Sequence, residues 1–117
     1  MSVLDVVGSY YDAWMAGKGD FSAVPLAPDF SFTGPVASFD TAEGFREMAA
    51  QAGPMVTRFS RQFVDGDTVC SIIDWEMALP VAAMTSAEIL QVRDGQIVRG
   101  ELIYDAQDLR AAMAAGA

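Results

Sequence analysis

Two carboxylates inside apolar strand sequence are the residues whose type and position could do chemistry. Asp74 stands in CSIIDWEMALP, residues 70–80, and Glu88 stands in MTSAEILQV, residues 84–92. The β-branched and aromatic residues around both acids are those that strands favour. Burial in apolar surroundings raises a carboxyl pKa by as much as about 3–5 units. Such a group is a neutral hydrogen-bond donor or a base poised near neutral pH, so the sequence indicates acid–base chemistry.

Alternation along the strand of Asp74 leaves two orientations open. One face carries Cys70, Ile72, Asp74, Glu76 and Ala78, and the other carries Ser71, Ile73, Trp75 and Met77. Asp74 either faces water, with Trp75 in the core, or points inward and leaves an apolar outer face that would form an interface. A salt bridge to Arg58, diagonal to Asp74 in one hairpin register, is the structural alternative.

The surroundings of Glu88 depend on the turn that follows its strand. A three-residue turn places Glu88 opposite Gly100, where the missing side chain leaves room for a ligand atom. A two-residue turn at Asp94-Gly95 slips the register by one and places Glu101 opposite Glu88. Pairing of Glu88 with Arg99 or Arg93 at the surface is the non-functional alternative.

Missing residue types exclude several kinds of site. The chain has no histidine, which excludes Ser-His-Asp and Cys-His catalysis and histidine metal ligands. Cys70 is the only cysteine, so no internal disulfide and no cysteine zinc site can form. Glycine-rich phosphate loops are missing as well. We therefore expect neither a metal nor a cofactor.

Length and charge indicate a single acidic domain spanning residues 1–117, of which 52% are hydrophobic. The net charge of −9 argues against nucleic acid as a partner. No apolar run reaches the roughly 18 residues of a membrane helix. The N-terminus has no basic region typical of a signal peptide, so a cytoplasmic location is expected.

The elements that must position these side chains are helices first and then two hairpins. The first helix carries Val7, Tyr10 and Trp14 on one stripe, so the Tyr10 hydroxyl needs a partner inside. The patterns predict helix Val3–Ala16, a short helix begun by Asp20, strand Asp29–Thr33, a helix capped by Asp40, strands Met55–Val64 and Asp67–Leu79 joined at Asp65-Gly66, strands Met84–Val92 and Gln96–Tyr104, and a last helix capped by Asp105. This order predicts an α+β domain with an antiparallel sheet.

The order of elements resembles the nuclear transport factor 2-like superfamily. YYDAWMAGKGDFS, LAPDFSFTGP and VRDGQIVRGELIYDAQDL carry the resemblance. It implies a cone-shaped, curved antiparallel sheet wrapped around N-terminal helices, the cystatin-like roll. The mouth of such a cone holds small hydrophobic molecules. Members are often homodimers through the outer face of the sheet.

The resemblance also implies roles for single residues. Against ketosteroid isomerases, Tyr10 and Glu88 fall on the tyrosine and the protonated acid of the oxyanion hole, and Gly34 falls on the base. Against limonene-epoxide hydrolases, Asp74 matches the catalytic aspartate, which favours its inward orientation. In this sequence Ile72 replaces the catalytic arginine of those enzymes, and Leu102 replaces the aspartate that activates water. Because neither catalytic set is complete in this sequence, the sequence resembles SnoaL-like proteins better than it resembles either of these enzymes.

The sequence therefore predicts a SnoaL-like protein that binds a small hydrophobic molecule in an apolar cone. Cofactor-free isomerisation, cyclisation or epoxide opening would use Tyr10, Asp74 and Glu88. The expected ligand contacts are Trp14, Phe32, Phe45, Met48, Ile72, Leu102 and Tyr104. The alternatives are a non-catalytic binding or dimerisation module, and a structural domain whose interior is too tightly filled for a ligand.

Overall fold

The computed structural model describes residues 2–52, 56–76 and 83–115, and the side chains of 2–52, 61–74 and 84–115. It has three helices and six strands in these ranges. Their bounds are α1 Val3–Met15, β1 Leu26–Thr33, β2 Ser38–Phe39, α2 Ala42–Ala52, β3 Val56–Asp65, β4 Thr68–Glu76, β5 Ala83–Arg93, β6 Gln96–Ile103 and α3 Gln107–Ala115.

Helix α1 begins with a capping box. The Ser2 hydroxyl accepts from the Asp5 N–H at 3.1 Å, and the Asp5 carboxylate accepts from the Ser2 N–H at 3.1 Å. The chain leaves the helix through Lys18 and Gly19, both with positive φ. The buried face includes the predicted Tyr10 and extends to Tyr11, so it is wider than the predicted stripe.

Two local predictions about caps are wrong. The Asp20 carboxylate accepts from the Ser22 N–H at 2.9 Å in a turn, and no helix follows it. A side chain that bonds the backbone two residues on favours such a turn over a helix. At α2 the N–H of Gly44 donates to the Thr41 hydroxyl at 3.1 Å, so Thr41 and not Asp40 is the cap.

The six strands form one curved sheet in the order β2-β1-β6-β5-β4-β3. The prediction of a purely antiparallel sheet needs one correction, since β1 runs parallel to β6 and every other neighbouring pair is antiparallel. Strand β1 lies between two partners: it is antiparallel to β2, its neighbour in sequence, and parallel to β6, the last strand of the chain. The fold is otherwise the expected α+β cone, and the sheet is not closed.

The second hairpin has the two-residue turn that one of the two predictions gave, but neither predicted partner of Glu88 is correct. Its turn has two residues, Asp94 and Gly95, with φ of 53° and 76°, which matches a type I′ turn. An extra residue on β6, Val98, then shifts the pairing between Gln91 and Val92. Because of this bulge Glu88 faces Leu102, and neither Gly100 nor Glu101.

Helix α1 packs across the inner face of β3 to β6, and α2 packs on β1 and β2. The core between these layers is rich in aromatic rings, and its fully buried members include Tyr10, Phe21, Phe30 and Phe45. None of the helices in the described ranges has the length and apolar character needed to cross a membrane.

Candidate functional site

A half-open cavity lies between α1, α2, α3 and the inner face of the sheet. Its volume is about 160 Å³. The walls are almost entirely apolar. The described residues that line it are Tyr10, Tyr11, Trp14, Phe32, Gly34, Pro35, Val36, Ala37, Phe39, Phe45, Met48, Ala52, Ile73, Ser86, Glu88, Leu102, Tyr104 and Leu109. The interior of this part of the chain is therefore not filled, contrary to the structural-domain alternative.

Glu88 supplies the carboxylate of the cavity. Its side chain is 5% exposed, and its Oε2 accepts a hydrogen bond of 2.8 Å from the Tyr10 hydroxyl. Helix α1 provides Tyr10 and strand β5 provides Glu88, so the bond joins residues 78 positions apart. A buried carboxylate with a charge-assisted donor is held in a defined orientation.

A polar row crosses the sheet at Glu88. The row consists of three successive cross-strand partners: Gln62 on β3, Ser71 on β4 and Glu88 on β5. On β6 the apolar Leu102 follows as the partner of Glu88. The Gln62 amide donates to the Ser71 hydroxyl at 3.1 Å, and Ser71 is fully buried. The row thus runs from an exposed amide to the cavity carboxylate. Tyr11 of α1 interacts with both Ser71 and Glu88.

Burial and hydrogen bonding act on the Glu88 carboxyl in opposite directions. Burial raises its pKa to about 7, and hydrogen bonds from Tyr11 and Tyr10 oppose that rise. The pKa of Tyr10 lies well above its usual range, because of its burial and then because of the negative charge of Glu88. The pKa of Tyr11 is also raised, first by burial and then by the negative charge of Glu88. Both phenols therefore stay protonated, and Glu88 is the group here that titrates near neutral pH.

Aromatic packing fixes the floor of the cavity. Phe45 of α2 is fully buried, and its ring lies 5.1 Å from that of Phe32 and 5.9 Å from that of Tyr10, measured between centroids. Edge-on contacts with Trp14 and Phe21 hold it from other sides. Such contacts add to the stability that area burial provides. The rings are thus held in place before any ligand arrives.

At the rim of the cavity, α3 contacts the turn that follows β1. The Arg110 guanidinium donates to the Pro35 carbonyl, and the neighbouring Leu109 is buried against the cavity. Val36, the next residue in that turn, lines the cavity and is 39% exposed. A ligand seated inside can therefore extend toward solvent past this rim.

Most of the predicted site residues share this cavity. Two of the three predicted catalytic residues, Tyr10 and Glu88, are in it and in contact. The predicted contacts found on its walls are Trp14, Phe32, Phe45, Met48, Leu102 and Tyr104. Whether they touch a ligand stays a prediction. Tyr11 and Ser86 line it without having been predicted. The spacing of Val7 and Tyr11, four residues apart on α1, was the available signal for Tyr11.

Asp74 does not point into the cavity, and the predicted inward orientation is wrong. Its side chain is exposed, and its carboxylate accepts a 2.7 Å hydrogen bond from the Thr85 hydroxyl on the outer face of the sheet. Val69, Ser71 and Ile73 form the buried inner face of β4 instead. Because side chains alternate, an inward Ile73 requires an outward Asp74.

The prediction that Ile72 contacts the ligand is wrong for the same reason, since Ile72 lies on the same face of β4 as Asp74. It is half-buried on the outer face opposite Ala87, and Ile73 takes the cavity position. The predicted neighbours Arg58 and Trp75 have side chains outside the described residues. The backbone of Arg58 is directly opposite Asp74, not diagonal to it.

Among the described residues of the cavity wall, no acid other than Glu88 is found. Gly34 and Leu102, which the resemblance aligns with catalytic carboxylates, both line the cavity and offer no ionisable group. Within the described part of the chain, no three Asp, Glu or Cys residues are grouped closely enough to hold a metal ion. Among the described wall residues Glu88 is the one carboxylate, so any acid–base step would rely on it.

A comparison with known protein families agrees with the fold described above. The family model of the SnoaL-like domain matches residues 7–100. The chain belongs to the SnoaL-like family. The matched range begins at Val7 in α1 and ends at Gly100 in β6, and so contains Tyr10 and Glu88. A search of curated proteins finds no match to this SnoaL-like chain.

Solved structures share its fold. An NTF2-like protein of unknown function from Cytophaga hutchinsonii is 20% identical with a TM-score of 0.83, over 94% of this chain and 96% of the other. A putative polyketide cyclase from Sinorhizobium meliloti is 22% identical with a TM-score of 0.71, over 88% and 100%. An LEH-like epoxide hydrolase from M. tuberculosis is 13% identical with a TM-score of 0.77, over 97% and 90%. At these identities the likeness establishes the fold.

Proposed function

We propose that this SnoaL-like protein binds a small, mostly apolar molecule in its cavity and exchanges a proton with it through Glu88. The observation that carries the proposal is a 5% exposed carboxylate on an apolar cavity wall, held at 2.8 Å by the Tyr10 hydroxyl. Isomerisation, cyclisation and epoxide opening all need such a proton transfer. None of these steps requires a cofactor when a side chain supplies the base.

The size of the cavity limits the ligand. A volume of about 160 Å³ is close to that of an engineered apolar cavity, about 150 Å³, that binds benzene. A single ring or a branched chain of similar size fits this space. Larger substituents would extend past Val36 and Pro35 at the rim. The cavity thus favours a monocyclic or terpenoid-sized body over a steroid enclosed as a whole.

The protonation of Glu88 supports a role in catalysis. With a pKa of about 7, both its carboxylate and its carboxylic acid forms are present at neutral pH. General acid–base groups work best when their pKa lies near the operating pH. Glu88 as carboxylate would accept a proton from the ligand. Once Glu88 is protonated, the Tyr10 hydroxyl no longer bonds a charged acceptor, and its single O–H can then be donated to the ligand oxygen that becomes negative. The carboxyl group and the phenol beside it would thus act in turn.

Hydrogen–deuterium exchange tests the proposal without knowledge of the natural substrate. Ring-sized ketones such as cyclohexanone and 3-cyclohexen-1-one exchange the protons next to the carbonyl when a base removes them, and NMR in D₂O follows the loss. We expect wild-type protein to accelerate this exchange and Glu88→Gln to lower the acceleration by about 100-fold or more. Asp74→Asn removes an equal charge from the outer face and should leave the rate unchanged.

Equal exchange by wild type and Glu88→Gln would contradict the proposal, as would the lack of exchange in every ketone of this size. A non-catalytic binding module is the second candidate, and the lack of carboxylates at Gly34 and Leu102 favours it. That candidate predicts ligand binding that survives Glu88→Gln with no exchange in either protein.

A further inference from the structure

The walls of the cavity carry charge of one sign. Glu88 is an acid, and none of the described wall residues is a lysine or an arginine. The Tyr10 hydroxyl already donates its proton to Glu88 Oε2. Tyr11 also interacts with this carboxylate, and because a carboxylate can accept at about four positions, acceptor capacity remains on Glu88 beside both phenols. The polar end of the cavity therefore suits a ligand that donates hydrogen bonds.

The remaining wall suits a cation as well. Seven wall residues are aromatic: Tyr10, Tyr11, Trp14, Phe32, Phe39, Phe45 and Tyr104. The faces of such rings attract ammonium groups within about 6 Å of the ring centre, and more strongly where water is excluded. Burial of an ammonium without a counter-ion is unfavourable, and Glu88 supplies that counter-ion here.

The charge of the whole chain acts in the same direction. Lysine and arginine number 7 against 16 aspartates and glutamates, which gives a net charge of −9. The field of an acidic protein raises the local concentration of cations and lowers that of anions. Anionic ligands are disfavoured twice, by this field and by Glu88 inside the cavity.

We propose that the ligand of this cavity is an apolar, ring-sized molecule with a protonated amine, whose N–H groups donate to Glu88 while its body packs against the aromatic wall. This inference rests on the proposed function for the position of the ligand and adds the charge that the ligand carries.

Binding of such a cation depends on the ionisation of Glu88. Among the described residues, the titratable groups that contact Glu88 are Tyr10 and Tyr11 of α1. Its cross-strand neighbours, Ser71 of β4 and Leu102 of β6, do not titrate. Both phenols stay neutral, since burial raises the pKa of each. Protonation of Glu88 at lower pH is thus the event that weakens binding of a cation in this cavity.

Calorimetric titration with three one-ring compounds tests this inference: benzylamine, benzyl alcohol and benzoate, on wild-type protein at about pH 8 and about pH 6. Primary amines stay protonated at both values. At the higher pH we expect benzylamine to bind about tenfold more tightly than benzyl alcohol, and benzoate to bind most weakly. At the lower pH the advantage of the amine should shrink, because Glu88 is then mostly protonated.

Two matched variants separate the local carboxylate from the overall field. Glu88→Gln and Asp74→Asn each remove one negative charge, the first in the cavity and the second on the outer face. Glu88→Gln should make the amine and the alcohol bind equally, and Asp74→Asn should keep the preference. The inference is overturned if benzyl alcohol binds wild type as tightly as benzylamine, or if Glu88→Gln keeps the preference. Ketone exchange without an amine preference would overturn this inference alone, whereas no binding of any compound together with no exchange would overturn both proposals.

Discussion

The Glu88 carboxyl contributes to stability in a way that depends on pH. Its pKa in the folded protein is about 7, against an ordinary value of 4.5. A folded-state pKa that is raised means that the folded protein holds a proton which the unfolded chain has lost. The free energy of unfolding therefore falls as pH rises from about 4.5 to about 7, by roughly 3 kcal/mol from this group, and stays lowered above that range.

Glu88→Gln should remove that fall. The glutamine amide oxygen can still accept from Tyr10 but carries no charge, so the variant gains stability relative to wild type as pH rises. We expect the difference in unfolding free energy between variant and wild type to change by about 3 kcal/mol between about pH 4 and pH 8, in favour of the variant. Urea denaturation at a series of pH values measures it.

Asp74→Asn is the control for this series, since its side chain is exposed on the other face of the sheet. It should keep the pH dependence of wild type. A Glu88→Gln curve that runs parallel to wild type across the whole range would contradict the raised pKa.

At the scale of the strands, the polar row across β3, β4 and β5 should influence the pKa of Glu88. Gln62 donates to Ser71, and Ser71 supports the Tyr11 hydroxyl that faces Glu88. Hydrogen bonds in such chains strengthen one another. Ser71→Ala should therefore weaken donation from Tyr11 and raise the pKa of Glu88 further, which carbon-13 NMR of the carboxyl group measures directly.

Thr85→Val offers a matched loss of one hydroxyl. Thr85 is on the outer face and bonds Asp74, so its replacement should leave the titration of Glu88 where it is. An unchanged pKa of Glu88 in folded Ser71→Ala would show that the row has no influence on the carboxyl group.

Gly100 of β6 is required by close packing against side chains of β1 and β5, not by space for a ligand. A Cβ there would lie 3.0 Å from the Phe32 ring and 3.2 Å from a Leu90 methyl, tighter than ordinary contact. We expect Gly100→Ala to lower the unfolding free energy by about 1–3 kcal/mol through overpacking. Thermal or urea denaturation measures the change.

Gly8→Ala is the same chemical change with the opposite expected sign. Gly8 lies within α1, and a Cβ there meets nothing within 4 Å. Alanine should stabilise the helix by about 1 kcal/mol. If both variants change stability by the same amount and in the same direction, the packing explanation for Gly100 fails.

At the scale of the whole molecule, the homodimer expected from the resemblance stays a prediction. Ile72, Ala87 and Ile103 are successive cross-strand partners on the outer face of the sheet, and Ile103 is 53% exposed. If a second copy covers this face, Ile103→Lys should give a monomer because it would bury an unpaired charge in the interface. Sedimentation of wild type and variant at matched concentrations measures the change.

Leu4→Lys is the control, since Leu4 is 48% exposed on α1, away from this row. It should sediment as wild type does. A wild-type protein that sediments at the 12.5 kDa of one chain would rule out the dimer.

The sequence by itself determined most of the elements and one half of the site. The apolar stripe of the first helix, the Gly53-Pro54 break and the Asp94-Gly95 turn are local signals, so α1, α2 and both hairpins were predictable with bounds within a few residues, whereas the helix predicted after Asp20 does not form. Tyr10 on an inward helical stripe and Glu88 in an apolar strand were predictable for the same reason. Each of these follows from the preferences of a few neighbouring residues.

Only the tertiary structure decided what faces the cavity. The strand of Asp74 is apolar on both faces, so period-two alternation could not tell which face packs under α1, and Ile73 rather than Asp74 proved to be inward. The bulge at Val98 shifts the pairing of Glu88 by one residue, and the parallel contact of β1 with β6 joins strands far apart in sequence. Register and face depend on contacts between distant segments, and no local pattern encodes them.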